Sequence, residues 1–315
     1  MLKEFAPMNT AELMDRAMDV YKRSFWKQIA FAAVLSVIAI AAMFGIGLIS
    51  VMVGALLINA LPIPAVGSEY VIVIAVILLM ALPILLWQSF ANAGYVVLAK
   101  QAFYGEVKIR VPHYQLPKTA LRVFTVMLAQ LLVAVPLVII LVLLVIWLAP
   151  IWDVSGDGFF IVTGILFLLA IIAVYLCFTN IFSVALVVSV FEGRLFFGAV
   201  ARAWFLIKDD FWWILGVRVL WYLVIAAISF AAQGMVALIE AAWHLLAGTV
   251  NVGVFMSPSG AFVVIGFIVT TIVTFAVAPM DGIMQTMIYF NQRIRKEGFD
   301  IEIQLEKLSQ TRAYL

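Results

Sequence analysis

Residues 191–213 read FEGRLFFGAVARAWFLIKDDFWW, a polar and aromatic island between two long apolar runs. The island has an echo near the N-terminus. Arg16-Ala17, seven residues and Phe25-Trp26 recur as Arg202-Ala203, seven residues and Phe211-Trp212, and Lys22 matches Lys208. Each copy runs directly into an apolar segment of membrane length. The chain therefore reads as a repeated unit: a charged interfacial helix followed by a hairpin of membrane helices.

Composition sets the solvent. Hydrophobic residues make up 66% of the chain and charged residues 11%, and the mean hydropathy is +1.18. Soluble domains carry roughly 25% charged residues. Inside a bilayer every backbone group must be satisfied within the protein, which leaves helices or a closed barrel. Barrel strands alternate apolar and polar, whereas these runs are continuously apolar for longer than the roughly 20 residues a spanning helix needs. The expected fold class is all-α, a polytopic helical membrane protein.

Six spans are predicted, at about 29–58, 70–99, 119–148, 159–190, 211–238 and 261–290. Pro83 and Pro136 fall inside spans as kinks. A turn is expected at 150–158, and a short interfacial helix at 240–248 with Trp243 as its anchor. The sixth helix is expected to run on to Lys296, with Gly298 at the C′ position and a tail helix bearing Ile301, Leu305 and Leu308 beyond it. The whole chain is one membrane domain. It divides into an amphipathic helix (1–27), a first hairpin (28–99), an interfacial segment with a second hairpin (100–190), an interfacial helix with a third (191–296), and a tail (297–315).

Residues 1–27 are amphipathic at helical spacing. Asn9 or Thr10 is placed to cap, with Glu12 in the first turn. Leu13, Ala17, Val20, Tyr21 and Ser24 share one face, and Asp15, Arg16, Asp19, Lys22 and Arg23 fill the other. This pattern predicts a helix lying on the membrane surface.

Orientation follows from charge. The N-terminal segment, the 99–122 loop, the 191–218 region and the C-terminal segment carry five, five, four and five Lys/Arg, which accounts for all 19. The three intervening loops carry none and hold Glu69, Asp153, Asp157 and Glu240 instead. The positive-inside rule then places both termini in the cytoplasm.

A second correspondence links the even-numbered spans. Phe90, Asn92, Phe103 and Gly105 match Phe178, Asn180, Phe191 and Gly193 at a constant offset of 88. Asp281 lies at a comparable depth in the sixth span. Three hairpins would put Asn92, Asn180 and Asp281 in one layer, and repeat interfaces of this kind often hold binding sites. Intramembrane amides also serve as packing glue, contributing about 1 kcal/mol or less. An intramembrane carboxylate costs at least roughly 2.5 kcal/mol and marks a functional site or a salt bridge. Arg218 and Arg122 enter from the same side and are the expected counter-ions.

Chemistry of other kinds has no foothold. The two histidines, His113 and His244, fall on opposite sides of the membrane, and no metal, nucleophile or phosphate-loop motif is present. No cofactor, metal, enzymatic activity or nucleic-acid partner is expected. Arg16, Lys22, Arg202 and Lys208, with Trp26 and Trp212, form a basic aromatic belt suited to membrane lipids. Its expected roles are anchoring, binding of anionic lipid headgroups, or docking of a protein partner or a second copy.

The segments AELMDRAMDVYKRSFW (11–26), FEGRLFFGAVARAWFLIKDDFWWILG (191–216) and YFNQRIRKEGFDIEI (289–303) resemble the membrane domain of glycerophosphoryl diester phosphodiesterases. The resemblance covers essentially the whole chain. It implies a bacterial inner-membrane protein of six helices, sometimes fused to a soluble phosphodiesterase barrel. That barrel is not expected here, so neither is its activity. The leading expectation is a non-catalytic accessory or binding module for anionic lipid or glycerophosphodiester headgroups, or for a cytoplasmic partner. The alternative is a small-solute or ion transporter or channel using Asp281 with Asn92 and Asn180.

Overall fold

The computed structural model describes residues 7–60, 68–104, 115–155, 157–246, 260–299 and 301. They form seven α-helices: α1 (Thr10–Ala60), α2 (Ser68–Phe103), α3 (Leu116–Ser155), α4 (Asp157–Phe191), α5 (Phe196–Ile207), α6 (Phe211–Leu246) and α7 (Gly260–Glu297). Six helical stretches are long and apolar enough to cross a membrane. A 3-10 turn, Lys208–Asp210, joins α5 to α6.

Three expected boundaries are corrected. Residues 10–27 are not a separate helix. They are the start of α1, which runs unbroken for 51 residues, because neither Pro nor Gly interrupts the chain between Thr10 and Phe44. The turn expected at 150–158 is helical through Ser155; Pro150 removes one backbone donor, which bends a helix without ending it. Of the separate helix expected at 240–248, residues 240–246 are the end of α6, which continues to Leu246 through a stretch without Gly or Pro. The expected tail helix lies outside the described residues except for Ile301.

Local signals at the ends of the chain hold. The amide of Glu12 donates to Asn9 Oδ1 at 2.9 Å and the amide of Asn9 donates to Glu12 Oε2 at 3.0 Å, a reciprocal capping box. Gly298 takes a φ of +62° just past α7, where a Cβ would be strained. Leu13, Ala17, Val20 and Ser24 are all buried, and Tyr21 donates to the carbonyl of Ala276 at 2.7 Å.

Helix α7 is the axis. It packs against α1, α2, α4, α5 and α6, and from Gly282 to Gln292 every residue is buried. Two features allow this closeness. A Cβ on Gly282 would sit 2.8 Å from Tyr95 Cβ, so only glycine lets α2 approach there. Farther along, Phe103 stacks on Phe290 (4.6 Å) and Phe191 on Tyr289 (5.2 Å).

The bundle has two unlike halves. All described Lys and Arg residues lie in one, the basic half, and the core lies there too. Going toward the far end, the last buried residues are Ala39 on α1, Ser89 on α2, Ala129 on α3, Asn180 on α4, Trp221 on α6 and Pro279 on α7. Beyond them no described side chain is buried. The described side chains of the far halves are mostly apolar and exposed, such as Leu166 and Leu169 on α4 and Phe267 and Ile268 on α7. Helices that are apolar all round are stable only in an apolar surrounding.

Candidate functional site

Depth is fixed by the aromatic stacks. Helices α2, α4 and α7 all run from the far end toward the basic end. Asn92 and Asn180 each precede their stacked phenylalanine by eleven residues, and Asp281 precedes Phe290 by nine. At 1.5 Å per residue these offsets are about 16 and about 14 Å. The three residues thus share one depth, and it is the depth at which burial stops.

Arg218 organises this layer. It sits seven residues into α6, enters from the basic end, and is 4% exposed. Its Nη1 donates to the carbonyl of Thr179 at 2.9 Å and to Ser183 Oγ, and its Nη2 donates to Tyr222 Oη at 2.6 Å. The same Nη2 lies 3.8 Å from Asp281 Oδ1. The guanidinium is therefore held chiefly by α4 and Tyr222, and Asp281 completes its charge balance at long range. Asp281 accepts one close hydrogen bond, from Gln285 Nε2 at 2.6 Å, one helical turn away. Its side chain is 38% exposed.

Two amides in the layer are incompletely matched. Asn180 is fully buried, yet neither its Oδ1 nor its Nδ2 meets a partner. Gln285 Oε1 is likewise buried and unmatched. A buried polar atom without a partner costs about 1–3 kcal/mol, so these are unusual groups to leave open. Asn92 is half-buried at the same depth. Arg122, the other expected counter-ion, lies elsewhere: its Nη1 is 3.1 Å from where a Cβ of Gly193 would stand. It closes the corner where Gly193 (φ +71°) and Phe196 (φ +50°) turn the chain from α4 into α5.

The basic end holds a second cluster. Arg202 Nε donates to both oxygens of Glu192, at 3.1 and 2.9 Å, and its Nη2 pairs with Glu297. Glu297 also pairs with Arg293 at 2.9 Å, and Glu192 accepts from Tyr289 Oη at 3.1 Å. Lys296 reaches Asp209 at 2.5 Å and the Phe205 carbonyl at 3.1 Å. The island of residues 191–213 is thereby clamped onto the end of α7.

The two sequence copies can now be compared. Ala17 and Ala203 are both fully buried, Lys22 and Lys208 are both exposed, and Trp26 and Trp212 are 78% and 77% exposed. Arg202 is held by two carboxylates, and Arg16 lies over the Phe103 ring at 5.1 Å. The backbones differ, since α1 is continuous where the second copy breaks at Lys208–Asp210. The sequence did not reveal Tyr222 and Gln285. Their signal was positional, because each lies four residues after a charged residue within an apolar helix, Arg218 and Asp281, on the same helical face.

Among the described residues no group of three or more His, Cys, Asp or Glu is placed to hold a metal ion. Grooves open beside the layer among the described residues. One, of about 390 Å³ between α2 and α3, is lined by Gln88, Gln130 and apolar residues including Leu131 and Val135. Another, about 330 Å³ between α1 and α2, is wholly apolar. Comparison of the chain with protein-family models, curated proteins and solved structures finds no match.

Proposed function

We propose that this chain is a multi-pass protein of a bacterial inner membrane that works as a non-catalytic binding module. Its ligand is held at the mid-depth layer around Arg218. The observation that carries this reading is Asn180, a fully buried amide with neither atom matched, beside the two residues that hold a buried arginine. Inside a membrane such groups are expensive and mark sites of recognition. The layer consists of amides, hydroxyls, a carboxylate and a guanidinium, groups that recognise polar matter by hydrogen bonding. The basic half faces the cytoplasm by the positive-inside rule, and the exposed pairs Trp26/Lys22 and Trp212/Lys208 sit as headgroup-level anchors. The resemblance to the membrane domain of glycerophosphoryl diester phosphodiesterases agrees with this placement.

The structure moves the emphasis within the binding reading. Arg202 faces two carboxylates, so an anionic headgroup there would have to displace Glu192 or Glu297. Among the described residues Asn180 has no such competitor. Native mass spectrometry of gently extracted protein tests the proposal. A stoichiometric ligand on the wild type, depleted in Asn180→Leu, is expected; a bare protein in both cases overturns it.

A second reading is favoured by one observation. Asp281 is the most exposed charged group of the layer, and its ion pair is long. A transporter would use this carboxylate to carry a proton or cation. Gradient-driven flux in liposomes that Asp281→Asn abolishes would establish it, and wild-type flux in that variant would remove Asp281 from the path.

A further inference from the structure

We propose that the groove between α2 and α3 binds a neutral lipid whose uncharged oxygen group, a carbonyl or hydroxyl, is held by Gln88 and Gln130. The site is separate from the layer around Arg218 and rests only on the membrane placement given above.

The groove has room for such a molecule. It measures about 390 Å³, within the range of about 300–1,000 Å³ found for ligand pockets. Gln130, Leu131, Val135 and Ile139 line it along α3, a strip about 14 Å long at 1.5 Å per residue. Spread over that length, the volume gives a mean cross-section of about 28 Å². A helix with its side chains is about 10–12 Å across and does not enter so narrow a furrow. An extended aliphatic chain does.

The amides stand open at one end of the strip. Gln88 is exposed and Gln130 half-buried, each one residue beyond the last buried residue of its helix, Ser89 and Ala129. Their level is fixed across the α2–α3 contact, where Ser89 Oγ donates to Met127 Sδ at 3.2 Å. Among the described residues neither amide meets a hydrogen-bond partner. Each offers two donors and an acceptor, and the rest of the lining is apolar.

Depth and charge select the ligand class. Gln88 precedes Lys100 on α2 by twelve residues, about 18 Å along the helix axis. With Lys100 at the membrane surface, this is close to the middle of a hydrocarbon core about 30 Å thick. No charged side chain lines the groove. A phosphate, carboxylate or ammonium brought to this depth would stand uncompensated, which is strongly disfavoured. That excludes a phospholipid held by its headgroup. A carbonyl or hydroxyl escapes the penalty and meets the amides directly. The ligand is therefore a lipid that dissolves wholly in the hydrocarbon, with its oxygen at Gln88 and Gln130 and its tail along Val135 and Ile139.

The full-length protein in liposomes would be irradiated with three diazirine-tagged reagents of equal chain length: a long-chain methyl ketone, the matching carboxylate and the matching alkane. Labelled positions are mapped by peptide mass spectrometry. Labelling of residues 131–139 by the ketone is expected to exceed that by either other reagent by about tenfold, the factor that two amide hydrogen bonds inside a membrane supply. Gln88→Leu combined with Gln130→Leu should bring the ketone down to the level of the alkane. Gln130→Asn alone, which keeps the amide, should retain part of the excess, and this controls for misfolding. Equal labelling by ketone and alkane in the wild type would overturn the role of the amides, and with it the proposal. Preference for the carboxylate would overturn the ligand class. A ketone excess unchanged in the double variant would overturn the site. A groove that takes no reagent, while the alkane labels exposed residues such as Leu166 and Phe267, would mean that a second copy or a partner helix covers it, and would overturn the proposal. Alkane labelling of none of these exposed residues would instead overturn the membrane placement on which the proposal rests.

Discussion

Replacing Arg202 by Ala tests whether the basic end is held together as described. Arg202 makes a forked contact with Glu192 and a second contact with Glu297, and its side chain is 17% exposed. Hydrogen bonds to charged groups contribute roughly 1.5–3 kcal/mol each. Orphaning a buried charge costs roughly 3–5 kcal/mol, but neither carboxylate is orphaned here. Glu192 keeps Tyr289 Oη at 3.1 Å and Arg194 Nε at 3.2 Å, and Glu297 keeps Arg293 Nε at 2.9 Å. The expected loss for Arg202→Ala is therefore about 2–3 kcal/mol. Arg202→Lys should recover little, because an ammonium does not reproduce a planar fork aimed at two carboxylates. Unfolding of the detergent-solubilised protein, followed by tryptophan fluorescence, reads the change. A double-mutant cycle with Glu297→Gln isolates the bridge and should return about 1–3 kcal/mol of coupling. Coupling below about 0.5 kcal/mol would mean that the two residues act independently, and the bridge would lose its place in the account.

Three further outcomes follow from the same structure. Arg218→Met should destabilise more than Asp281→Asn. Each variant leaves one charge unbalanced, but Arg218→Met also removes the hydrogen bonds to Thr179, Ser183 and Tyr222, whereas Asp281→Asn leaves them in place; unfolding midpoints of the two variants compare them. Gly282→Ala should cost about 1–3 kcal/mol because its methyl would stand against Tyr95, whereas Gly216→Ala, with nothing within 4 Å, should stabilise by up to about 1 kcal/mol through helix propensity. Asn9→Ala removes half of the capping box and should cost about 1 kcal/mol, read as loss of hydrogen-exchange protection in the first turn of α1.

The ends of the chain were legible in the sequence because their signals are local. Asn9 with Glu12, the face of Leu13, Ala17, Val20 and Ser24, and Gly298 after the last helical turn each follow from one helix meeting water. The interior was legible only in depth. Helices α2 and α4 are apolar all round, so no stripe of residues marks which side meets a neighbour. The central place of α7 was therefore hidden. It comes from Gly282 and from the rings of Tyr289 and Phe290 finding partners on α2 and α4. The pairing of Arg218 with Asp281 was anticipated because both enter from the same end at similar depth. The pairing of Arg202 with Glu192 and Glu297 was not, because it joins parts of the chain far apart in sequence. The likeness of Arg202 to Arg16 drew attention to lipid instead.

The chain's two extremities are spliced together. Met8 donates its amide to Asn291 Oδ1 at 2.9 Å and accepts on its carbonyl from Arg295 at 2.8 Å and from Asn291 Nδ2 at 3.3 Å. A ribosome adding roughly 5–20 residues per second needs on the order of 15–60 s to go from one side of that splice to the other. Throughout that interval Met8, and later Phe103 and Phe191, wait with their eventual neighbours unmade. The bundle therefore closes like a purse, with its drawstring threaded last. A nascent chain halted anywhere before residue 291 is left open at the basic end, where quality-control proteases can grip it.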